Sequence, residues 1–410
     1  VYRRAILLFE IEVGMKKKSL QILIAGVIIA TLLAACGPAA ATTPTATIAA
    51  AGVENPTAVT TALPTGTAAT SAGTETATAP SDAAGGEPVS LTVMTHDSFA
   101  VSEKVVTAFE QANNIKVNFV KSGDAGAALN RAILTKDAPQ ADVFYGVDNT
   151  FLSRALDAGI YESYASPLLE KIPAEFKTDS QNRALPVDFG DVCINYDKAY
   201  FKDKNLAVPQ TLQDLTRPEY KGLLVVENPA TSSPGLAFML ATIAEFGPDK
   251  YLDYWKSLRA NGLVVVDGWE TAYYTNFSGS TGKGPQPLAV SYASSPVVEV
   301  IYASTPLTEA PTGSITGKNT CFRQIEYVGI LKGTQKMAAA QKFVDFMLST
   351  SFQEDMPEQM FVYPVNQDAK IPESFQKYSQ IPDEPARMDP AEISKNRDAW
   401  IQAWDQAVLR

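Results

Sequence analysis

The chain has 410 residues, 34 Lys and Arg against 45 Asp and Glu, and a formal net charge of −11 at pH 7. Its basic residues are scattered, which excludes the clustered positive footprint of a nucleic-acid binder. One histidine and three cysteines exclude a His-pair zinc site, a CxxC site and HExxH chemistry.

The N-terminal region, residues 1–36, reads as an export signal. Lys16, Lys17 and Lys18 precede an apolar run from Leu20 to Leu33, and small residues follow at Ala34 and Ala35. The run is short for a membrane span of ~20 residues. Cys36 directly after Leu-Ala-Ala resembles the bacterial lipobox, which implies cleavage before Cys36 and a diacylglyceryl thioether on its sulfur. The alternative is an uncleaved anchor with an incidental cysteine. Glu10 and Glu12 interrupt the signal pattern, so translation is expected to start at Met15. Residues 37–86 are nearly all Ala, Thr, Pro, Ser and Gly. Such a segment cannot bury a core and is expected to be a disordered tether.

The folded part is expected from Glu87 to Arg410, a length that suits two lobes of ~150 residues each. The expected partition is a first lobe over 87–190, a second over 191–300, and a return to the first over 301–410. One unit recurs in chain order: apolar strand, polar loop, amphipathic helix. "SLTVMT" leads through His96, Asp97 and Ser98 to a helix near Ser102–Asn113. "IKVNFV" leads through Ser122-Gly123-Asp124 to a helix near Ala127–Leu134. "ADVFYGV" leads through Asp148 and Asn149 to "TFLSRALDAG". "GLLVVEN" leads through "PATSSPG" to "LAFMLATIAEFG". This alternation predicts an α/β fold with a largely parallel sheet.

Ligands of open α/β sheets bind beyond the carboxyl ends of the strands. Each of these loops opens a helix whose first N–H groups are unpaired and partly positive. In Thr231-Ser232-Ser233-Pro234-Gly235, a Ser before Pro fits an N-cap followed by Pro at the first helical position. Cys193 in "DVCINY" and Cys321 in "TCFRQIEYVGI" both fall in strand-like segments. They either pair across a shared sheet, as exported cysteines often do, or remain two buried thiols.

A hydrolytic triad would have to use His96 with its neighbours Asp97 and Ser98, and adjacent residues in a turn rarely converge on one reacting atom. "SGSTGKG" lacks the spacing and the strand-to-helix setting of a phosphate loop and reads as a turn. Trp400 and Trp404 lie one helical turn apart in a C-terminal helix, and Trp255 sits in "YLDYWKSL"; both patterns are core packing. Trp269 reads as a loop residue after Asp267-Gly268. Tyr292 ends an apolar strand, and Phe361 precedes "VYPV". Loop aromatics beside polar caps suit a flat or cationic ligand.

Taken in order, "THDSFA", "GDAGAALNR", "ADVFYGVDN", "PVDFGDVCINYDK", "NPATSSPGL", "DGWETAYY", "LAVSYASSP" and "VYPV" resemble the thiamine-binding proteins of bacterial ABC importers. The resemblance implies a two-lobed type 2 periplasmic binding protein, without catalytic activity, cofactor or metal. Its partners would be thiamine or a thiamine phosphate and the subunits of a membrane permease. It would act as a monomer held at the cell envelope by its lipid anchor. By the same resemblance, Asp124 and the N–H of Ala125 face the ligand. Thr231 and Ser232 take its phosphate or hydroxyl end, and Trp269 and Tyr292 wall that region. His96 and Phe361 stand where the family has tyrosine and tryptophan, and Val298 aligns with a family tyrosine; Asp97, Ser98 and Asp148 complete the expected lining. Two rivals are a ferric-iron binder using Tyr273, Tyr274 and His96, and an exported hydrolase using His96. His96 is read as a neutral wall of the cleft, so that cation affinity would weaken as pH falls through ~6 with its protonation.

Metabolic labelling with a fatty-acid analogue should tag the wild type and not Cys36→Ser; equal labelling of both would contradict the lipobox reading.

Overall fold

A computed structural model describes residues 87–281 and 283–410; the signal region, Cys36 and the Ala/Thr/Pro-rich segment lie outside the described residues. β1 (Val89–Thr95) pairs in parallel with β2 (Ile115–Lys121) along its whole length and with β3 (Val143–Asp148) at Val93 and Met94. The connections are helical: α1 (Glu103–Asn113), closed by Asn114 in the left-handed region, and α2 (Ala125–Leu134), capped by Asp124. α3 (Leu152–Ala158) follows β3 and stops at Gly159.

After a short β4 (Tyr161–Glu162), the chain enters the long β5 (Leu185–Asp197) and a small helix α4 (Lys198–Asp203). A second parallel group follows. β6 (Leu224–Glu227) leads into α5 (Ser233–Phe246), α6 (Tyr251–Ala260) and β7 (Val264–Val266), and later β8 (Leu288–Tyr292). Then come α7 (Pro296–Ile301), β9 (Thr312–Ile315) and the second long strand, β10 (Phe322–Leu331). The C-terminal part holds α8 (Met337–Leu348), β11 (Tyr363–Pro364) and the closing helix α9 (Pro390–Val408), with short helical turns between them.

The main strand order is β2-β1-β3-β10-β5-β8-β6-β7. It is parallel within both end groups, but β3–β10, β10–β5 and β5–β8 are antiparallel. The expected largely parallel sheet is therefore a mixed one. The strand-loop-helix signal in the sequence comes from the end groups. β5 is reached by a long connection and β10 by the short stretch 316–321 after β9, and neither carries such a signal. β5 runs unbroken through residues 190 and 191, and β9 pairs with the same half of β5 as β8.

α5 is buried on nearly every side. It starts at Ser233 with Ser232 as its cap, one residue earlier than the Ser-Pro pattern implied. Trp404 of α9 meets Trp255 of α6 edge to face at 5.3 Å, and Tyr251 donates its hydroxyl to the Trp400 carbonyl at 3.1 Å. At the other side of α9, Arg397 donates to Ser153 of α3 at 3.0 Å. One helix thus ties both ends of the sheet together. No helix among the described residues is long and apolar enough to cross a membrane.

Cys193 and Cys321 are bonded to each other across the β5–β10 pair, one step beyond the Val192–Phe322 register, and both are fully buried. The bond closes a loop with a sequence separation of 128. Chain entropy sets an upper bound of about 4–5 kcal/mol on what such a loop closure adds to stability. Urea unfolding should therefore shift to lower denaturant with reductant present or in Cys193→Ser. Two free thiols by intact mass in the untreated protein would contradict the bond.

Candidate functional site

The carboxyl ends of β1 and β3 face the middle of β5 and β10. His96 directly follows β1. Gly146 of β3 has φ +109°, and a Cβ there would stand 2.4 Å from His96 Cδ2, so the imidazole lies on bare backbone that only glycine supplies. The ring is 5.7 Å from the Tyr145 ring. Its Nε2 is 3.5 Å from Glu326 Oε1 and has no hydrogen-bond partner. The Tyr145 hydroxyl lies 2.6 Å from Asp188 Oδ2 and 3.0 Å from Glu326 Oε2. A phenol holds one proton and carboxylates only accept, so two such contacts require one acid to carry a proton of its own.

The second half of the site is a corner where the two parallel groups touch. Asp124 Oδ1 accepts the Ala125 N–H at 2.6 Å, and its Oδ2 accepts the Trp269 N–H at 3.0 Å from across the corner. The Ser232 hydroxyl also bonds Asp124. Ala127 donates to the Thr231 carbonyl at 3.1 Å. A Cβ on Gly126 would stand 2.8 Å from the Ala230 and Thr231 oxygens, so glycine permits this approach. The Thr231 hydroxyl is turned to the Asp267 carbonyl at 2.6 Å. The structure therefore brings Asp124, Ala125, Thr231, Ser232 and Trp269 into one neighbourhood.

Trp269 does not sit in a loop: a helical segment starts at it and runs into a π-helix, Thr271–Asn276. The ring stacks on Tyr273 at 5.1 Å and 13°, and its Nε1 donates to Ser291 at 2.9 Å. Tyr292 lies 6.3 Å away, its ring against Gly190 and its hydroxyl donating to Gln324 at 3.0 Å. Phe361, in the left-handed region, belongs to a different apolar cluster with Val297, Val298, Tyr363 and Phe375. Two departures from the thiamine-binding pattern, Val298 and Phe361, thus lie in one cluster. Asp148 is spent on its own turn, accepting from the Thr150 hydroxyl at 2.8 Å and the Phe151 N–H at 3.3 Å. Asp97 and Ser98 are partly buried beside His96. No hydrogen bond joins them to His96 among the described residues. The described residues contain no group of three or more His, Cys, Asp or Glu able to hold a metal. Tyr273 has its hydroxyl on Glu299 at 3.1 Å.

Sequence reasoning missed Tyr145, Asp188, Glu227 and Glu326. The available signal was a charged residue inside, or ending, an otherwise apolar strand, as in "RQIEYVGI" and "LLVVE". Burial pushes the Asp124 carboxyl up to about 6 against its three hydrogen bonds, and the Asp148 carboxyl up to about 7. Burial also raises Asp188, Glu326 and Glu227, each carboxyl made costlier to ionise by a neighbour or by its apolar surroundings. Burial first, and the Lys121 charge second, hold His96 down to about 3. None of these acids has a Lys or Arg partner in an ion pair among the described residues. Tyr292 sits in the field of Asp124, Asp148, Asp188 and Glu326 together. A cation beside the Tyr292 and Trp269 rings would be attracted by both carboxylates and π faces.

Residues 138–383 match the family described as Bacterial extracellular solute-binding protein. The chain belongs to that family. This solute-binding protein is 30% identical over 331 residues to the "Thiamine-binding periplasmic protein" of Salmonella typhimurium, covering 78% of this chain and 94% of that one. Its fold superposes on a solved "Periplasmic thiamin binding protein" with a TM-score of 0.70 and 28% identity, over 79% of this chain and 97% of the other. It also superposes on a "Ferric binding protein from Campylobacter jejuni" at a TM-score of 0.63 and 20% identity, over 77% and 99%, a likeness of fold alone. The architecture is the two-lobed type 2 periplasmic binding fold, and the protein is an exported transport component.

The buried acids set a pH dependence of stability for the ligand-free solute-binding protein. Their folded pKa values lie above the unfolded values of about 4, so their contribution is fully present below pH ~4 and lost as pH rises through about 6–7. His96 works in the opposite sense: its contribution is present above its unfolded pKa of ~6.5 and is lost as pH falls towards 3. The acids outnumber the imidazole. The melting temperature should rise between pH 8 and pH 5.5; a flat or falling profile would contradict the buried, unpaired carboxyls.

Proposed function

We propose that this protein is the substrate-binding lipoprotein of an ABC importer and that its solute is thiamine. The observation that carries the reading is the group of buried carboxyls around Tyr292, close to Trp269, with no Lys or Arg ion-pair partner among the described residues. Thiamine is a flat heterocyclic cation. Its thiazolium ring would lie against Trp269 and Tyr292 with Asp124 as counter-charge, and its arm would reach Ser232. The aminopyrimidine would point to His96, Tyr145, Asp188 and Glu326, where the unpartnered His96 Nε2 and Asp188 Oδ1 offer polar contacts. The names carried by the relatives support the same ligand class. A ferric site is disfavoured because Tyr273 is stacked on Trp269 and bonded to Glu299.

The remaining elements of this reading are the lipid anchor on Cys36, delivery to permease subunits in the cell membrane, and a monomeric protein at the outer face of that membrane or in the periplasm. Lobes would comprise 87–190 with 301–410, and 191–300, with β5 and β10 passing between them.

Two measurements test the ligand and its contacts. Trp269→Ala should lose on the order of 2 kcal/mol or more of thiamine affinity, at least ~tenfold, while Trp400→Phe, deep in the α6–α9 contact, should bind normally. Normal calorimetric binding by Trp269→Ala would refute the assignment. The pH dependence of affinity keeps the direction expected from the sequence but moves to another residue. With its pKa held down to about 3, His96 is already neutral at pH 6 and has no proton to lose there. A bound cation favours ionised Asp124, so thiamine affinity should rise as pH rises through about 6. Asp124→Asn should flatten that profile and His96→Tyr should keep it. A profile flattened by His96→Tyr alone would reverse the assignment.

A further inference from the structure

The seam between the two parallel groups of the sheet runs through the β5–β10 ladder. Towards the amino end of β5, its partner β10 also pairs with β3, from Glu326–Asp148 to Ile330–Val143. From Val192 onwards β5 pairs with β8, which leads to β6 and β7. β9 and β10 lie end to end on one edge of β5. β9 pairs from Asp197 to Ile194, and β10 takes over at Val192. Cys193 is the residue between those two ladders, and its disulfide partner Cys321 is where the stretch 316–321 rejoins β5.

The structure is firm at this point and irregular farther along. Asp191 and Arg323 form the next rung on the cystine's face of the ribbon, an ion pair with two bonds of 3.0 and 2.8 Å. The Thr320 hydroxyl ties the 316–321 stretch back to the Ile315 carbonyl at 2.9 Å. A third stretch of chain crosses here: the Ala386 N–H donates to the Cys321 carbonyl at 2.7 Å, and the Gln380 N–H to that of Ala293, which packs with both cysteines. Beyond these rungs the register shifts, between Glu326 and Tyr327 against β5 and between Tyr327 and Val328 against β3. A bulge bends a strand and breaks its ladder locally. Only the Tyr145 hydroxyl bridges the two strands' side chains there, at Asp188 and Glu326.

We propose that the Cys193–Cys321 cystine is the pivot of lobe movement: it pins the two strands where the lobes meet, and the bend is taken up at the Glu326–Val328 bulge. With the bond present, β5 and β10 turn as one ribbon. Without it, the 316–321 stretch lets Cys321 part from Cys193, and each strand can bend by itself. The lobes then sample more relative orientations, and a solute must order more of them on binding. The inference goes beyond the reading of the solute and rests on the two-lobed fold alone.

The test is pulsed dipolar spectroscopy on the ligand-free full chain. Nitroxides are carried on non-cysteine residues introduced at Lys104 and Lys256, exposed positions on α1 and α6 in the two lobes as divided above. Cys193→Ala/Cys321→Ala should broaden the interlobe distance distribution, and its thiamine affinity should fall roughly three- to tenfold. Phe343→Leu, in the α8 core against Phe109, should lower the melting temperature and leave the distribution unchanged. Equal widths for the wild type and the folded double variant overturn the inference, as does equal broadening by Phe343→Leu; the bond then only stabilises the fold. Should the double variant fail to fold, Asp191→Asn/Arg323→Gln decides, because it loosens the next rung with the bond intact. Its width should stay that of the wild type, and a broadening would move the pivot to the ion pair. A wild type that does not bind thiamine overturns the thiamine reading, and the ligand-free widths still decide this one.

Discussion

Buried negative charge without a positive partner is the constraint on which the site depends. An isolated carboxylate in a low-dielectric interior is costly, and a protein answers by protonating it, bonding it or supplying a cation. Here the first two answers are partial. Tyr145 bridges Asp188 and Glu326, and Asp124 collects three donors, yet Glu227 has no partner at all. A cationic solute, as proposed, would supply the third answer; its binding and the ionisation of the site would then support each other.

The fold exists to hold these acids in place. The antiparallel pairing of β5 with β10 sets Asp188 opposite Glu326, and β3 sets Asp148 opposite Glu326 on the other side. The disulfide fixes that pair one step beyond its register end. The contact of α2 with the 230–231 backbone needs Gly126, and the seat of His96 needs Gly146. α9 clamps α6 and α3 at the far side. Rigid elements thus position short polar side chains.

The strand-loop-helix units were legible because their periodicity is local: α1, α2 and α3 fall where the apolar spacing placed them. Asp124 and Ser232 are reached through the family resemblance; the capping pattern alone points to Ser233, one residue past the cap that α5 uses. The mixed sheet was not legible, because the direction of β5 relative to β10 is decided by connections with no periodic signal. The helical segment at Trp269 was hidden by Asp267-Gly268, which reads as a turn but here ends just before a π-helix. The acid cluster was hidden because Tyr145, Asp188 and Glu326 come together from three strands far apart in the chain. His96 reads as a neutral wall, but how firmly it is held neutral is a tertiary effect of burial and of the Lys121 charge, which its neighbours in sequence do not show.

The central claim is that the cleft is built around an organic cation. Mass spectrometry of the small molecules released from protein purified without refolding tests it most directly. The account predicts a flat heterocyclic cation with the mass of thiamine. Release of ferric iron from coloured protein, or of an anionic metabolite, would contradict it.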